Sequence, residues 1–253
     1  EVRSRHHSIQ TFSLIKHPLR VADTYISFSP KVFDFHIQAD GLPEHYPVVF
    51  TGIPSFDPFF AWKDLEPEGT DVLFIDQPLH ETGLMGWTAE EKRKFLNGLA
   101  ACIRAQGKQL YIKPHPWNQQ DSYGQVKNLP YVRFVERWEA VVPNVTTVVG
   151  FASTLLLPFM AMNHMACLTL ELHPRPGAQP YSGFLLESGA CRAVRSFEEL
   201  SERLSVREDW FPAQREAKEH FIRHWMYRFD GRSFQRLRSV LLGEEKPAVT
   251  ANL

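Results

Sequence analysis

Net charge is almost missing from this chain: 28 Lys and Arg stand against 29 Asp and Glu, a formal balance of −1. Such a chain carries no overall field that would draw it to DNA or RNA, so nucleic acid is not an expected partner, although local basic patches stay open. Cysteine is scarce as well. Cys102, Cys167 and Cys191 lie far apart in apolar or helical surroundings. They read as buried thiols of a reducing compartment, neither a disulfide frame nor a metal cluster. The histidines, including His6 and His7, show no metal-ligand spacing, and no Gly-rich phosphate fingerprint is present. No run approaches the roughly 18 apolar residues of a transmembrane helix, and the polar start at residues 1–7 is no signal peptide. A cytoplasmic location is expected.

What is present is the material of a globular α/β protein. The chain has 253 residues, 43% of them hydrophobic and 23% charged, enough for a packed core in one large domain or two small ones. From about residue 70 onward, strand and helix patterns alternate. Residues 71–75 form a short apolar strand, and Thr88 with Glu91 makes a capping box ahead of Phe95, Leu96, Leu99 and Ile103 at helical spacing. That helix stops at Gly107, and the apolar run 110–112 follows as a strand. Further strands are expected at 131–134, 146–149 and 166–172, with a buried helix at 155–162. Ser196 and Glu199 open another capped helix to about Leu204, and residues 212–228 and 233–242 read as C-terminal helices. Such alternation predicts a mostly parallel sheet with helices on both faces. Before residue 65 the pattern differs: one strand within 21–29, another at 48–50, and a proline-punctuated connector at 53–70.

The most informative motif is Lys113-Pro114-His115-Pro116, which leaves the end of the 110–112 strand. Each proline fixes its own φ and restrains its predecessor, so His115 sits between stiffened positions. In open α/β sheets that edge is where ligands bind. An imidazole held there serves either as a phosphate donor or acid, or as a loop strut. Ser153 and Thr154 occupy the next strand-to-helix turn, where hydroxyls either cap the helix or hold a phosphate. Glu171 ends the strand after that, placed to accept from ribose hydroxyls or simply to meet solvent. His173-Pro174-Arg175-Pro176-Gly177 stiffens the same edge. The loop Asp76-Gln77-Pro78-Leu79-His80-Glu81-Thr82-Gly83 faces the same crevice, and Asp76, His80 and Glu81 are all open candidates for proton transfer. A nucleophile elbow is excluded at Ser153 because its glycines are missing. Trp225, Tyr227 and Phe229 among Arg223, Arg228 and Arg232 read as a packed face with solvated arginines.

Taken together, Phe74-Ile75-Asp76-Gln77-Pro78-Leu79, Lys113-Pro114-His115-Pro116 and Gly150-Phe151-Ala152-Ser153-Thr154 resemble the C-terminal half of bacterial GT-B glycosyltransferases. They are most similar to the sialyltransferase and polysialyltransferase group and the related Kdo transferases of capsule and lipopolysaccharide synthesis. Thr51-Gly52-Ile53-Pro54-Ser55-Phe56-Asp57 is similar to the interdomain crossover of those enzymes. The resemblance implies an α/β fold, a Rossmann-like nucleotide-binding domain over residues 61–253, and a partial second lobe at 1–60. It implies a CMP-sugar donor as substrate, no cofactor and no metal, and a glycan acceptor. Contact with the inner membrane or with other polysaccharide-synthesis proteins is also implied. By the same resemblance His115 is the catalytic contact to the donor phosphate, and Gln77, Lys113, Pro116, Ser153, Thr154 and Glu171 join it in binding the donor. Two departures stand out. The serine motif carries one serine, and the acidic motif that supplies the base in these families is not found. CDP-polyol and UDP-sugar transferases share the Lys-Pro-His-Pro pattern and form the alternative.

Overall fold

The computed structural model describes residues 24–40, 47–118, 120–175 and 181–244. Several expectations fall outside those residues: the polar start, the 21–23 part of the leading strand, Pro176 and Gly177. The chain divides into two units. One takes residues 1–63 and 219–253, the other residues 64–218.

In the first unit, β1 (Tyr25–Ser27), helix α1 (Pro30–Asp40) and β2 (Val48–Phe50) form a parallel βαβ unit, with Tyr25 opposite Val48 and Ser27 opposite Phe50. Helix α1 is not legible as such in the sequence, because Phe33, Phe35 and Ile37 alternate as a strand would. Its start is set locally: Pro30 occupies the first helical position, and the Ser29 hydroxyl accepts the Val32 N–H at 3.3 Å. The expected 53–70 connector contains a run of 3₁₀ turns, Pro54–Trp62.

The second unit is an all-parallel, six-stranded sheet: β3 (Asp71–Ile75), β4 (Leu110–Lys113), β5 (Val132–Phe134), β6 (Val145–Gly150), β7 (Ala166–Leu170) and β8 (Arg192–Val194). Their order in space is β5-β4-β3-β6-β7-β8. Counted within the sheet this is 3-2-1-4-5-6, the doubly wound order whose direction reverses between the first and fourth strands. Here the reversal falls between β3 and β6, and the crevice at their C-terminal ends is where this topology holds ligands. The strands are nearly continuous apolar runs because a parallel sheet is covered on both faces. Val72, Leu73, Phe74, Val148 and Val149 have no exposed surface.

Helix α2 (Ala89–Ala105) starts where its capping box dictates. The Thr88 hydroxyl accepts the Glu91 N–H at 3.2 Å, and the Glu91 carboxylate accepts the Thr88 N–H at 2.8 Å. Phe95, Leu96, Leu99 and Ile103 are buried as the spacing predicts. A Cβ on Gly98 would come within 2.4 Å of the Phe197 ring, so glycine there is what lets α5 (Phe197–Ser205) approach α2. Ser196 caps α5 through the Glu199 N–H, but Glu199 reaches back to the Arg195 N–H instead of closing a reciprocal box. The buried 155–162 run yields only a short helix, α3 (Leu156–Met160), since uniform apolar sequence carries no period to fix its ends. A four-residue helix, α4 (Gly183–Leu186), precedes β8.

Helix α6 (Arg207–Phe221) begins before Pro212, where the sequence pattern set its start, and runs into a π-helical turn, Ile222–Met226. Helix α7 (Ser233–Leu241) follows. From sequence, residues 61–253 form one domain; in the structure, residues from 219 group with the leading segment. The bonds that do this are specific. The Asp57 carboxylate accepts the N–H groups of Ser233 and Phe234 at 2.9 and 2.8 Å, satisfying two open donors of α7. Arg236 Nε donates to the Thr51 carbonyl at 2.8 Å.

Candidate functional site

The loops leaving β3 and β4 build the site. The N–H of Asp76 pairs with the Lys113 carbonyl at 3.0 Å, extending the β3–β4 ladder by one residue before both chains turn. Beyond β4, the Lys113–Pro116 turn walls a cavity of about 560 Å³ together with Asn118, Tyr123, Lys127, Phe134, Val135 and Glu136. His115 is half-buried in that wall. Its Nδ1 accepts the backbone N–H of Trp117 at 3.2 Å, so the neutral ring carries its proton on Nε2 and is a donor at that nitrogen. The Lys113 ammonium donates to the Pro114 carbonyl at 3.1 Å, which holds a cation beside the histidine.

Behind the cavity lies a buried polar network. Asn118 binds the His115 carbonyl through its backbone N–H at 2.9 Å. Its side-chain amide donates to Asp76 Oδ2 at 2.5 Å and to the Tyr123 hydroxyl at 2.8 Å. Lys92, reaching in from α2, places Nζ 3.0 Å from Asp76 Oδ2 and donates to the Gln77 carbonyl at 3.1 Å. Burial pushes the Asp76 carboxyl above the usual carboxylate range, against the opposing pull of Lys92. Burial and the Asp76 charge also push the Tyr123 phenol up, so it remains a neutral hydroxyl. Further along the β3 loop, His80 Nδ1 lies 2.8 Å from Glu81 Oε2, and Ser122 Oγ donates to Glu81 Oε1 at 3.1 Å. Asp76, His80 and Glu81 were open candidates for proton transfer. The structure sets all three in this supporting network, and none of them lines the cavity.

The other sequence candidates divide. Lys113, His115 and Pro116 share the cavity wall. Gln77 enters through its main chain, with its N–H on Asp76 and its carbonyl on Lys92. Ser153 and the exposed Thr154 follow the end of β6, on the far side of β3 from His115, and do not line the cavity. The Ser153 hydroxyl accepts the Leu155 N–H at 3.3 Å, within the turn that leads into α3. Glu171 is engaged by its own chain: its carboxylate accepts the N–H groups of Tyr181 and Ser182, both at 2.9 Å, and the Ser182 hydroxyl. His173 is a core residue. It accepts the Trp87 indole N–H at 3.0 Å and packs on Phe151, and burial holds its pKa down. Arg175 lays its side chain against Gly86.

Sequence reasoning missed Lys92, Asn118, Tyr123, Lys127 and Glu136. Only Lys92 left a signal, since it falls on the buried face of α2, three positions before Phe95. Among the described residues no group of three or more His, Cys, Asp or Glu side chains is placed to hold a metal ion. No helix among them is long and apolar enough to cross a membrane.

This architecture is the Rossmann-like α/β fold of GT-B glycosyltransferases. Solved structures with the same fold include the Methanocaldococcus jannaschii UDP-GlcNAc 2-epimerase in complex with UDP-GlcNAc and UDP (TM-score 0.55, 13% identity, 88% of this chain and 61% of that one). The wall teichoic acid polymerase TagF is similar too (TM-score 0.54, 11% identity, 88% and 58%), as is a glycotransferase of kitacinnamycin (TM-score 0.50, 13% identity, 88% and 55%). The chain thus spans about 60% of the first two. A family model described as alpha-2,8-polysialyltransferase (POLYST) matches residues 53–171, a little under half of the chain. None of the curated proteins matches it.

Proposed function

We propose that the chain is the nucleotide-binding part of a glycosyltransferase that moves a nonulosonic sugar, sialic acid or Kdo, from its CMP-activated form to a glycan hydroxyl. The observation that carries this reading is the His115 cavity: an Nε2–H donor beside Lys113 and Lys127, at the C-terminal edge of a doubly wound sheet. The match of residues 53–171 to the polysialyltransferase family supports the donor class and makes an oligosialic acid the acceptor of choice for tests.

In the reaction the bond between the anomeric carbon and the phosphate oxygen breaks, and CMP departs with the bonding electrons. The acceptor oxygen forms the new bond and releases its proton to a base. The chemistry asks for donors aimed at the departing phosphate, where charge builds in the transition state. His115 Nε2–H supplies one, and the two lysines neutralise the product nucleotide. No residue of the cavity wall is assigned as the base.

The similarity to the teichoic acid polymerase fold favours a CDP-polyol donor as the second reading. Calorimetry with CMP, CDP and UDP separates the readings. Tightest binding of CMP supports the sialyltransferase-type donor, and tightest binding of CDP supports the second. A preference for UDP removes the CMP reading, and no binding of any of the three at millimolar concentration makes the chain an interaction module.

A further inference from the structure

Trp117 follows the prolines of the motif and is 54% exposed. The other described tryptophans of its unit, Trp87, Trp138 and Trp210, are 4 to 7% exposed. Keeping an indole in water forgoes the apolar burial that the rest of this unit achieves. The side chain nevertheless has a defined place. The Trp117 N–H donates to His115 Nδ1, and its ring stands edge-on to the imidazole, 5.5 Å between centroids and 77° between planes. Pro116 restricts the backbone on its other side.

Trp117 flanks the cavity without belonging to its wall, which passes from Pro116 to Asn118. A ligand that fills the cavity has Tyr123 and Phe134 for ring contacts inside it. The exposed indole stands beside His115, at the edge of that wall. On the transferase reading, on which this inference rests, the part of the substrates that lies beyond the phosphate is sugar. A pyranose ring presents a face of C–H bonds that packs well on a flat, polarisable aromatic surface. Because the Trp117 backbone and ring are already held by His115, little conformational freedom is lost when that surface is used.

We infer that Trp117 is a saccharide-stacking subsite next to the nucleotide cavity, contacting the acceptor glycan and not the nucleotide.

The test uses the whole chain, CMP and a sialic acid tetramer as probes, with affinities from calorimetry and ring-proton contacts from saturation-transfer NMR. Trp117→Ala is expected to weaken tetramer binding about tenfold and to erase most of the ring-proton transfer. CMP affinity should stay within about twofold, because the His115 contact uses the Trp117 backbone, which the substitution keeps. Trp117→Phe, which retains a flat ring, should restore most of the tetramer binding. Equal loss of CMP and tetramer in Trp117→Ala overturns the subsite and makes the indole part of nucleotide binding. CMP binding by the wild type with tetramer binding absent, or indifferent to residue 117, overturns the subsite alone. Failure of the wild type to bind any nucleotide overturns the transferase reading itself.

Discussion

Lys92 and Asp76 form a buried ion pair, Nζ to Oδ2 at 3.0 Å, with each side chain 1% exposed. The pair joins α2 to the end of β3, and through Asn118 it reaches the carbonyl of His115. Glu81 lies 3.9 Å from the same ammonium. One lysine therefore serves two carboxylates. Removing it leaves the Asp76 carboxylate without its ion-pair partner in a low-dielectric interior, which is far costlier than never having buried the pair. Lys92→Met is expected to lower stability by about 3–5 kcal/mol in denaturant unfolding. Adding Asp76→Leu should recover a good part of that loss; if the double variant is as unstable as the single one, the pair is not what the lysine supports.

His115 has a different relation to stability. It is half-buried on a loop, and its Nδ1 is held by the N–H of Trp117, two residues on. His115→Ala should weaken CMP binding by about 1.5–3 kcal/mol, the range for a hydrogen bond to a charged group, with little change in melting temperature. A large drop in melting temperature with unchanged nucleotide affinity would make the histidine a loop strut.

Glu171 is expected to act on its own loop. Its two oxygens accept three hydrogen bonds from Tyr181 and Ser182, and an amide at this position can match at most part of that set. Glu171→Gln should cost about 1–3 kcal/mol of stability and speed hydrogen exchange at the Tyr181 and Ser182 amides. Slow exchange at both amides in the variant, combined with selective loss of ribonucleotide affinity, would return Glu171 to the ribose-binding role read from the sequence.

Lys218 gives a pH signature. Its ammonium is buried, donates to the carbonyls of Met160 and Met165, and burial holds its pKa down to about 8. Below about pH 8 the lysine is charged in both the folded and unfolded chain, and the burial cost is fully present. Between about 8 and the ordinary 10.5 the folded protein releases the proton while the unfolded chain keeps it. The unfolded state then binds more protons, so stability rises with pH. The wild type should gain on the order of 3 kcal/mol relative to Lys218→Met across that window, at about 1.4 kcal/mol per pH unit. Urea unfolding of both proteins at pH 7 and pH 10 measures it. A difference that does not change with pH would mean the ammonium is solvated in the fold.

Sequence alone determined what rests on neighbours in the chain. Strand β3 begins and ends where its apolar run does, and α2 starts at Thr88 because its two capping bonds lie within four residues. His115 was legible for the same reason, since two prolines and the N–H of Trp117 hold it from within its own loop. Tertiary structure decided what rests on distant partners. The helical spacing puts Lys92 on the buried face of α2, but its partners Asp76 and Glu81 come from the β3 loop and only the fold brings them to it. Glu171 carries the same chemistry in either of its roles, and only the folded chain supplies the amides of Tyr181 and Ser182 that occupy it. Helix α1 was hidden by an alternating pattern that a strand would share, and the packing of Phe33 and Val48 with Ile37 chose the helical period over the extended one.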